Sequence, residues 1–180
     1  MAKTLFKIGN FVAFYLIWFA ALFGARLDII WLGPMTAIAY GIFHFLAQKE
    51  YKTELKFAIF VTILGTCIDT MNMHFHVFTI TVVNHIAPIV PLWLIAIWAS
   101  FGLTLKNSMS WLHGRYWLAA ACGSIAAPLS YFAGERVNVM AFPNFYGSML
   151  TLAILWMLLT PALIWLATIT TGTPRHSRVR

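Results

Sequence analysis

The sequence predicts an all-α polytopic membrane protein of six transmembrane helices with both termini cytoplasmic, and three observations carry that prediction. Of 180 residues, 61% are hydrophobic and only 9% are charged, and the mean hydropathy is +0.81. A soluble domain needs about 25% Asp, Glu, Lys and Arg to keep its surface wet, so most of this surface must face lipid. Apolar runs of 17 to 22 residues recur six times, and at about 1.5 Å per residue each matches a hydrocarbon core of roughly 30 Å. The runs are apolar all round, without the alternation of a β-barrel strand, which leaves helices as the spanning structure. The third observation is the placement of the basic residues.

The first span, about 5–24, follows Lys3 and Lys7 but is longer than a signal-peptide core and leads straight into further spans. The second, 27–47, carries Gly33-Pro34, where a kink is expected. The third, 55–73, contains Asp69. A β-branched stretch from Val77 to Val83 precedes Pro88 and reads as an extended or re-entrant piece. The fourth span is 89–105. The fifth, 116–134, repeats Ala119, Gly123 and Ala127 at four-residue spacing, a smooth face that lets another backbone come close and marks it as the expected central helix. Pro128 should kink it, as Pro161 should kink the sixth span, 148–169. No linker or extramembrane domain interrupts the pattern, so residues 1–180 read as one domain.

With six spans, Lys3, Lys7, Lys49, Lys52, Lys56, Lys106, Arg115, Arg175, Arg178 and Arg180 fall on one side, and only Arg26 and Arg136 on the other. Cytoplasmic loops retain Lys and Arg, which puts both termini inside. The net charge of +7 is then a record of topology, and nothing in it calls for a nucleic acid. Trp31, Trp93, Trp111, Trp117 and Trp165 lie near span ends, as interfacial anchors do, whereas Trp18, Trp98 and Trp156 lie deeper. Cys67 and Cys122 sit inside spans and read as small core residues.

Ionisable groups inside a bilayer are costly and call for explanation. Asp69 is the sharpest, about two thirds along the third span with Thr66, Thr70 and Asn72 around it. Water could reach it there, either as simple exposure or as a wet pocket. The outer side also collects Glu135, Arg136, His74, His76 and His85. On an extended stretch His74 and His76 would face the same way, and with His85 and Asp69 or Glu135 they make a weak zinc set. Haem is disfavoured, because His44 could pair only with His113. No cofactor is expected. The H-E-x-x-H, G-x-S-x-G and G-x-x-x-x-G-K-[ST] motifs are absent from the sequence, and the balance leans away from an enzyme.

Three segments carry a resemblance: Pro91-Leu92-Trp93-Leu94 with Trp98 and Phe101; Thr104 through Leu112; and Pro128-Leu129-Ser130-Tyr131-Phe132-Ala133-Gly134. Together with the Leu64-Gly65 to Asp69 segment and the Trp18 region, they resemble the small bacterial membrane proteins grouped as domain of unknown function 2878. The chain departs from that pattern at Lys106-Asn107, where the family tends to have Asn-His, and at Ala127, where it tends to have Gly. The resemblance implies a multi-pass protein of the bacterial inner membrane without an established activity. Its members often lie beside lipid-modifying methyltransferases, which implies membrane lipids and a lipid-modifying protein as partners. It also points to Asp69, Asn107, Ser108, Trp111, Pro128, Tyr131 and Gly134, which match the shared pattern. Asp69 and Tyr131 are expected to meet across one pocket, while Ser108 or Ser110 is expected to cap span five.

The function expected is that of an accessory or scaffold protein handling membrane lipid or a small hydrophobic solute. A small proton-coupled transporter using Asp69 is the alternative, and a membrane enzyme acting on lipid is the second. An exposed small-residue stripe on span five would also suit a homo-oligomer.

Overall fold

The computed structural model describes residues 2–47, 51–82 and 88–170. Among them, six α-helices follow one another: α1 (Ala2–Arg26), α2 (Leu32–Leu46), α3 (Tyr51–His74), α4 (Leu92–Lys106), α5 (Tyr116–Arg136) and α6 (Phe145–Thr170). A single turn of 3-10 helix covers Ser110–Leu112, and two short strands, β1 (Thr79–Ile80) and β2 (Met140–Ala141), complete the elements. Three helical stretches, Lys3–Arg26, Tyr116–Arg136 and Phe145–Thr170, are long and apolar enough to cross a membrane. The other three differ from the spans of 17 to 22 apolar residues expected. α2 and α4 have 15 residues each, about 22 Å of helix against a core of roughly 30 Å. α3 has the length, at 24 residues, but Lys52, Glu54, Lys56, Asp69 and Asn72 make it less apolar.

The second span begins later than its apolar run. Residues 27–31 form the turn after α1, so Pro34 stands in the first turn of α2, where no in-helix acceptor awaits its missing amide. The expected kink at Gly33-Pro34 is therefore a helix start. Gly33 is bare because α1 presses on it: a Cβ there would lie 2.7 Å from the Ala21 Cα. α5 and α6 run on as helices through Pro128 and Pro161.

The central helix is α4, not α5. α4 packs on α1, α2, α3 and α6 and buries residues on almost every side, from Trp93 to Leu105. α5 packs chiefly on α6, and its small-residue face is the reason. A Cβ at Gly123 would collide with the Thr160 side chain and lie 2.5 Å from the Trp156 carbonyl oxygen. The stripe of Ala119, Gly123 and Ala127 is thus buried, with α6 packed on it at Gly123.

α1, α3 and α5 end in the same way. Each closes with an amide reaching back five residues: Ile29 to the Gly24 carbonyl, Val77 to Asn72 and Val139 to Gly134, at 2.8, 2.9 and 3.0 Å. The residue before each amide is left-handed, with φ of 63° at Asp28, 54° at His76 and 58° at Asn138. This is the Schellman closure, and Asp, His and Asn are the non-glycine residues that tolerate it best. β1 and β2 then pair antiparallel, Thr79 opposite Ala141 and Ile80 opposite Met140, tying the ends of α3 and α5 together. The extended piece expected after span three is this strand.

Candidate functional site

Asp69 is fully buried, at 0% exposure, which corrects the expectation that water reaches it. Its carboxyl group is held by two donors from other helices. The Tyr131 hydroxyl of α5 donates to Oδ1 at 2.5 Å, and the Trp98 indole of α4 donates to Oδ2 at 2.7 Å. The Trp98 ring lies directly on the backbone of Gly65, one turn before Asp69, where a Cβ would overlap the indole. Asn72, buried one turn beyond, is within electrostatic reach of the carboxyl group, yet its amide nitrogen has no hydrogen-bond partner among the described residues.

Trp98 and Tyr131 also form part of the wall of a half-open cavity of about 570 Å³, lined by residues of α1, α4, α5, α6 and the 3-10 turn. That volume lies within the ~300–1,000 Å³ of ordinary ligand sites. The wall is aromatic and aliphatic, and no charged residue or histidine lines it among the described residues. Asp69 stands behind the wall, so its two donors present ring surface to the cavity while their polar atoms turn away. Trp156 stacks on Trp98 with ring centroids 5.1 Å apart and planes 13° off parallel. Three buried polar atoms of lining residues lack hydrogen-bond partners among the described residues: Trp93 Nε1, Trp156 Nε1 and Thr160 Oγ1. The Trp156 nitrogen is directed toward the Tyr131 hydroxyl without meeting full hydrogen-bond geometry. Trp93, expected as an interfacial anchor, is only 3% exposed, whereas Trp31, Trp111, Trp117 and Trp165 are exposed.

At the other end of the bundle a polar chain joins four helices. Ser108 donates its amide and hydroxyl to Asn10 Oδ1 at 3.2 and 2.6 Å, and Asn10 Nδ2 donates to the Tyr40 oxygen at 2.8 Å. His44 lies between Tyr40, 3.1 Å from Nδ1, and Glu54, 2.7 Å from Nε2. A neutral imidazole with its proton on Nε2 satisfies both neighbours, with Tyr40 donating to Nδ1. Asn107 completes the chain, donating to Glu54 at 3.5 Å and to the Leu103 carbonyl at 2.8 Å. Asn10, Tyr40 and Glu54 gave no sequence signal, being single polar residues near helix ends. His44, the one span histidine weighed for haem and disfavoured there, has Glu54 and Tyr40 as its partners.

The remaining candidates separate. Glu135 accepts the Phe142 amide at 3.2 Å, and the Arg136 guanidinium lies 4.9 Å over the Phe132 ring. Neither is joined to Asp69 by a hydrogen bond or ion pair among the described residues, because both lie beyond the last buried turn of α5. Ser108 and Ser110 do not cap α5, whose N-cap, Arg115, makes no side-chain cap bond. Ser108 is committed to Asn10, and Ser110 accepts from the Lys7 ammonium at 2.7 Å. Trp111 is exposed at the 3-10 end of the cavity. Cys67, expected in the core, is exposed, while Cys122 is half-buried at the cavity wall.

The zinc geometry is not present among the described residues. His74 ends α3 and binds its own Thr70 carbonyl at 2.8 Å, and His76 occupies the left-handed position, so the two are not on one extended strand. No group of three or more His, Cys, Asp or Glu that could hold a metal occurs among the described residues. His85 lies outside them, as do Lys49 and the basic residues of the tail.

Three helices long and apolar enough to cross a membrane, beside a largely apolar cavity, are the features of a helical membrane protein. The chain belongs to the family described as protein of unknown function DUF2878, whose profile matches residues 7–162. Comparison with curated proteins and with solved structures finds no match.

Proposed function

We propose that this is a six-span protein of the bacterial inner membrane, with both termini cytoplasmic, that holds a lipid or small hydrophobic solute inside its bundle as an accessory to lipid-modifying proteins. The observation that carries the reading is the cavity of about 570 Å³ with its uncharged aromatic wall. Apolar sites with a few polar atoms are the usual form of a small-molecule pocket. The topology is supported by the polar chain, which gathers the start of α1, the end of α2, the start of α3 and the end of α4 at one end. Lys7, Lys52, Lys56 and Lys106 belong to that end, and Arg26 and Arg136 to the other.

Lipid analysis tests the function. A deletion strain should show an altered lipid profile that the wild-type gene restores, and the purified protein should carry lipid in native mass spectrometry. An unchanged profile together with a lipid-free protein would defeat the reading.

One observation favours a second reading, a proton-coupled carrier: Asp69 is an acid deep in the bundle. That reading expects Asp69→Asn to abolish substrate-driven proton flux in proteoliposomes. The two donors on the carboxyl group favour a fixed positioning role instead, which leaves any flux intact.

A further inference from the structure

The cavity has two unlike ends. Near β2, the lining residues Leu22, Trp93, Leu94 and Met140 are buried and seal it. Toward the 3-10 turn, Phe11, Tyr15 and Trp111 line it and are exposed, as is Leu129 on α5. The cavity is therefore a slot, capped at one end and open along its side and at the other. Its wall on α1 runs from Phe11 to Leu22 and on α4 from Trp93 to Thr104, each about 16 Å at 1.5 Å per residue. That is about half of a hydrocarbon core of roughly 30 Å, the depth of one leaflet and so of one acyl chain.

The open end is also the cationic one. Lys3, Lys7, Phe11, Tyr15, Trp18 and Leu22 recur at three- and four-residue spacing, so the two lysines continue the lining face of α1 beyond the mouth. Lys7 is held there: its ammonium donates to the Ser110 hydroxyl at 2.7 Å, and Ser110 stands between the lining residues Met109 and Trp111. An ammonium carries three donors, so the bond to Ser110 leaves two for an anion at the mouth. Arg115 begins α5 at the same turn, its amide on the carbonyl of the lining residue Leu112 at 2.8 Å. Glu54, the acid of this end among the described residues, is turned to His44 and Asn107 on the α2–α3 side. A cationic rim over an apolar slot matches an amphiphile, anionic at one end and hydrocarbon at the other.

Resting on the reading that the cavity takes a lipid, we infer that its ligand is an anionic phospholipid of the leaflet on the lysine side, with one acyl chain in the slot and its phosphate on Lys7 at the mouth. The second chain stays in the bilayer, as the open side of the slot allows. The headgroup then never crosses the apolar interior, where an anion would be desolvated without a counter-ion.

The test is native mass spectrometry of the purified full chain in detergent, titrated separately with phosphatidylglycerol and with diacylglycerol of the same chains. Phosphatidylglycerol should bind about tenfold more tightly, the effect of one or two basic residues on an anionic headgroup. Lys7→Gln should erase about 3- to 10-fold of that advantage and leave diacylglycerol unchanged, which also shows that the variant is folded. Lys52→Gln, at the same end of the bundle but on α3, should change neither. Ala126→Trp, at an exposed lining position of α5, should block the slot and weaken both lipids, with an unaltered thermal midpoint showing an intact fold. Equal binding of the two lipids, or equal losses from Lys7→Gln and Lys52→Gln, would overturn the headgroup site and leave the apolar cavity in place. Binding untouched by a folded Ala126→Trp would overturn the chain's place in the slot. If neither lipid binds, the proposed function falls as well.

Discussion

Trp98 lies flat on the bare backbone of Gly65 and reaches one helical turn further along the same helix to donate its indole proton to Asp69 at 2.7 Å. Glycine at 65 and the acid at 69 are thus two halves of one seat for a single side chain. The first provides room for the ring, and the second fixes its rotation.

Gly65→Ala should unseat that ring. The added methyl group overlaps the indole, so either α4 moves or Trp98 leaves Asp69 with one donor fewer. We expect a loss of about 1–3 kcal/mol, the usual cost of overpacking, read as a lowered thermal midpoint in detergent with a shifted tryptophan emission. A variant with unchanged stability and emission would show that the ring is not held by this contact.

Asp69 and Tyr131 should be strongly coupled. Tyr131→Phe removes one donor from a buried carboxyl group, and Asp69→Asn changes its acceptor. In a double-mutant cycle the two effects should fall short of additivity by about 0.5–3 kcal/mol, as for residues sharing one buried network. Strict additivity in equilibrium unfolding would mean that the hydrogen bond contributes nothing.

Gly123 should tolerate no side chain. Its Cβ position is taken by Thr160 and the Trp156 carbonyl, so Gly123→Ala should force α5 off α6 and cost about 1–3 kcal/mol. Ala120→Gly, at a half-buried position on the same helix, should cost only about 1 kcal/mol from helix propensity. Comparable thermal shifts for the two would indicate that the helices do not approach as described.

The seam between α1 and α5 should be gated by one bond. The Trp18 indole donates to the Ser130 hydroxyl at 2.9 Å, and this is the one side-chain hydrogen bond between those helices among the described residues. Cys122 lines the cavity behind it. In a Cys67→Ser background, Ser130→Ala should speed labelling of Cys122 by a bulky maleimide severalfold. An unaltered rate would place the way in elsewhere.

The fold was legible wherever one residue type carries a physical constraint over a long stretch. The apolar runs located all six helices, and the four-residue repeat of Ala119, Gly123 and Ala127 marked a face made for close packing. The same repeat misled about which helix is central. A small-residue stripe reports how closely a neighbour can come, not how many neighbours there are, and α4 earns its place with large side chains such as Trp93, Trp98 and Leu105. At the site, Asp69 was visible because a lone acid in an apolar run is costly, and Tyr131 because of its motif. Trp98 was hidden among eight tryptophans, since nothing local distinguishes an indole that bonds to an acid from one that anchors at an interface. Asn10, Tyr40 and Glu54 were hidden for a related reason: each is ordinary near a helix end, and only the bundle brings them together. His74 and His76 show the reverse, a pattern that suggested chemistry and belongs to a helix terminus.

The partners of Asn10 lie 30, 93 and 98 residues further along the chain. During synthesis, at about 5–20 residues per second, α1 is complete several seconds before Ser108 and Leu103 exist. The Tyr40 hydroxyl comes first, and the remaining acceptors and donors only when α4 is made. The Asn10 side chain therefore enters with its partners missing and has its full set only once α4 and Ser108 are made. Assembly of this bundle has an order written into it, in which the earliest segment waits for partners made more than ninety residues later.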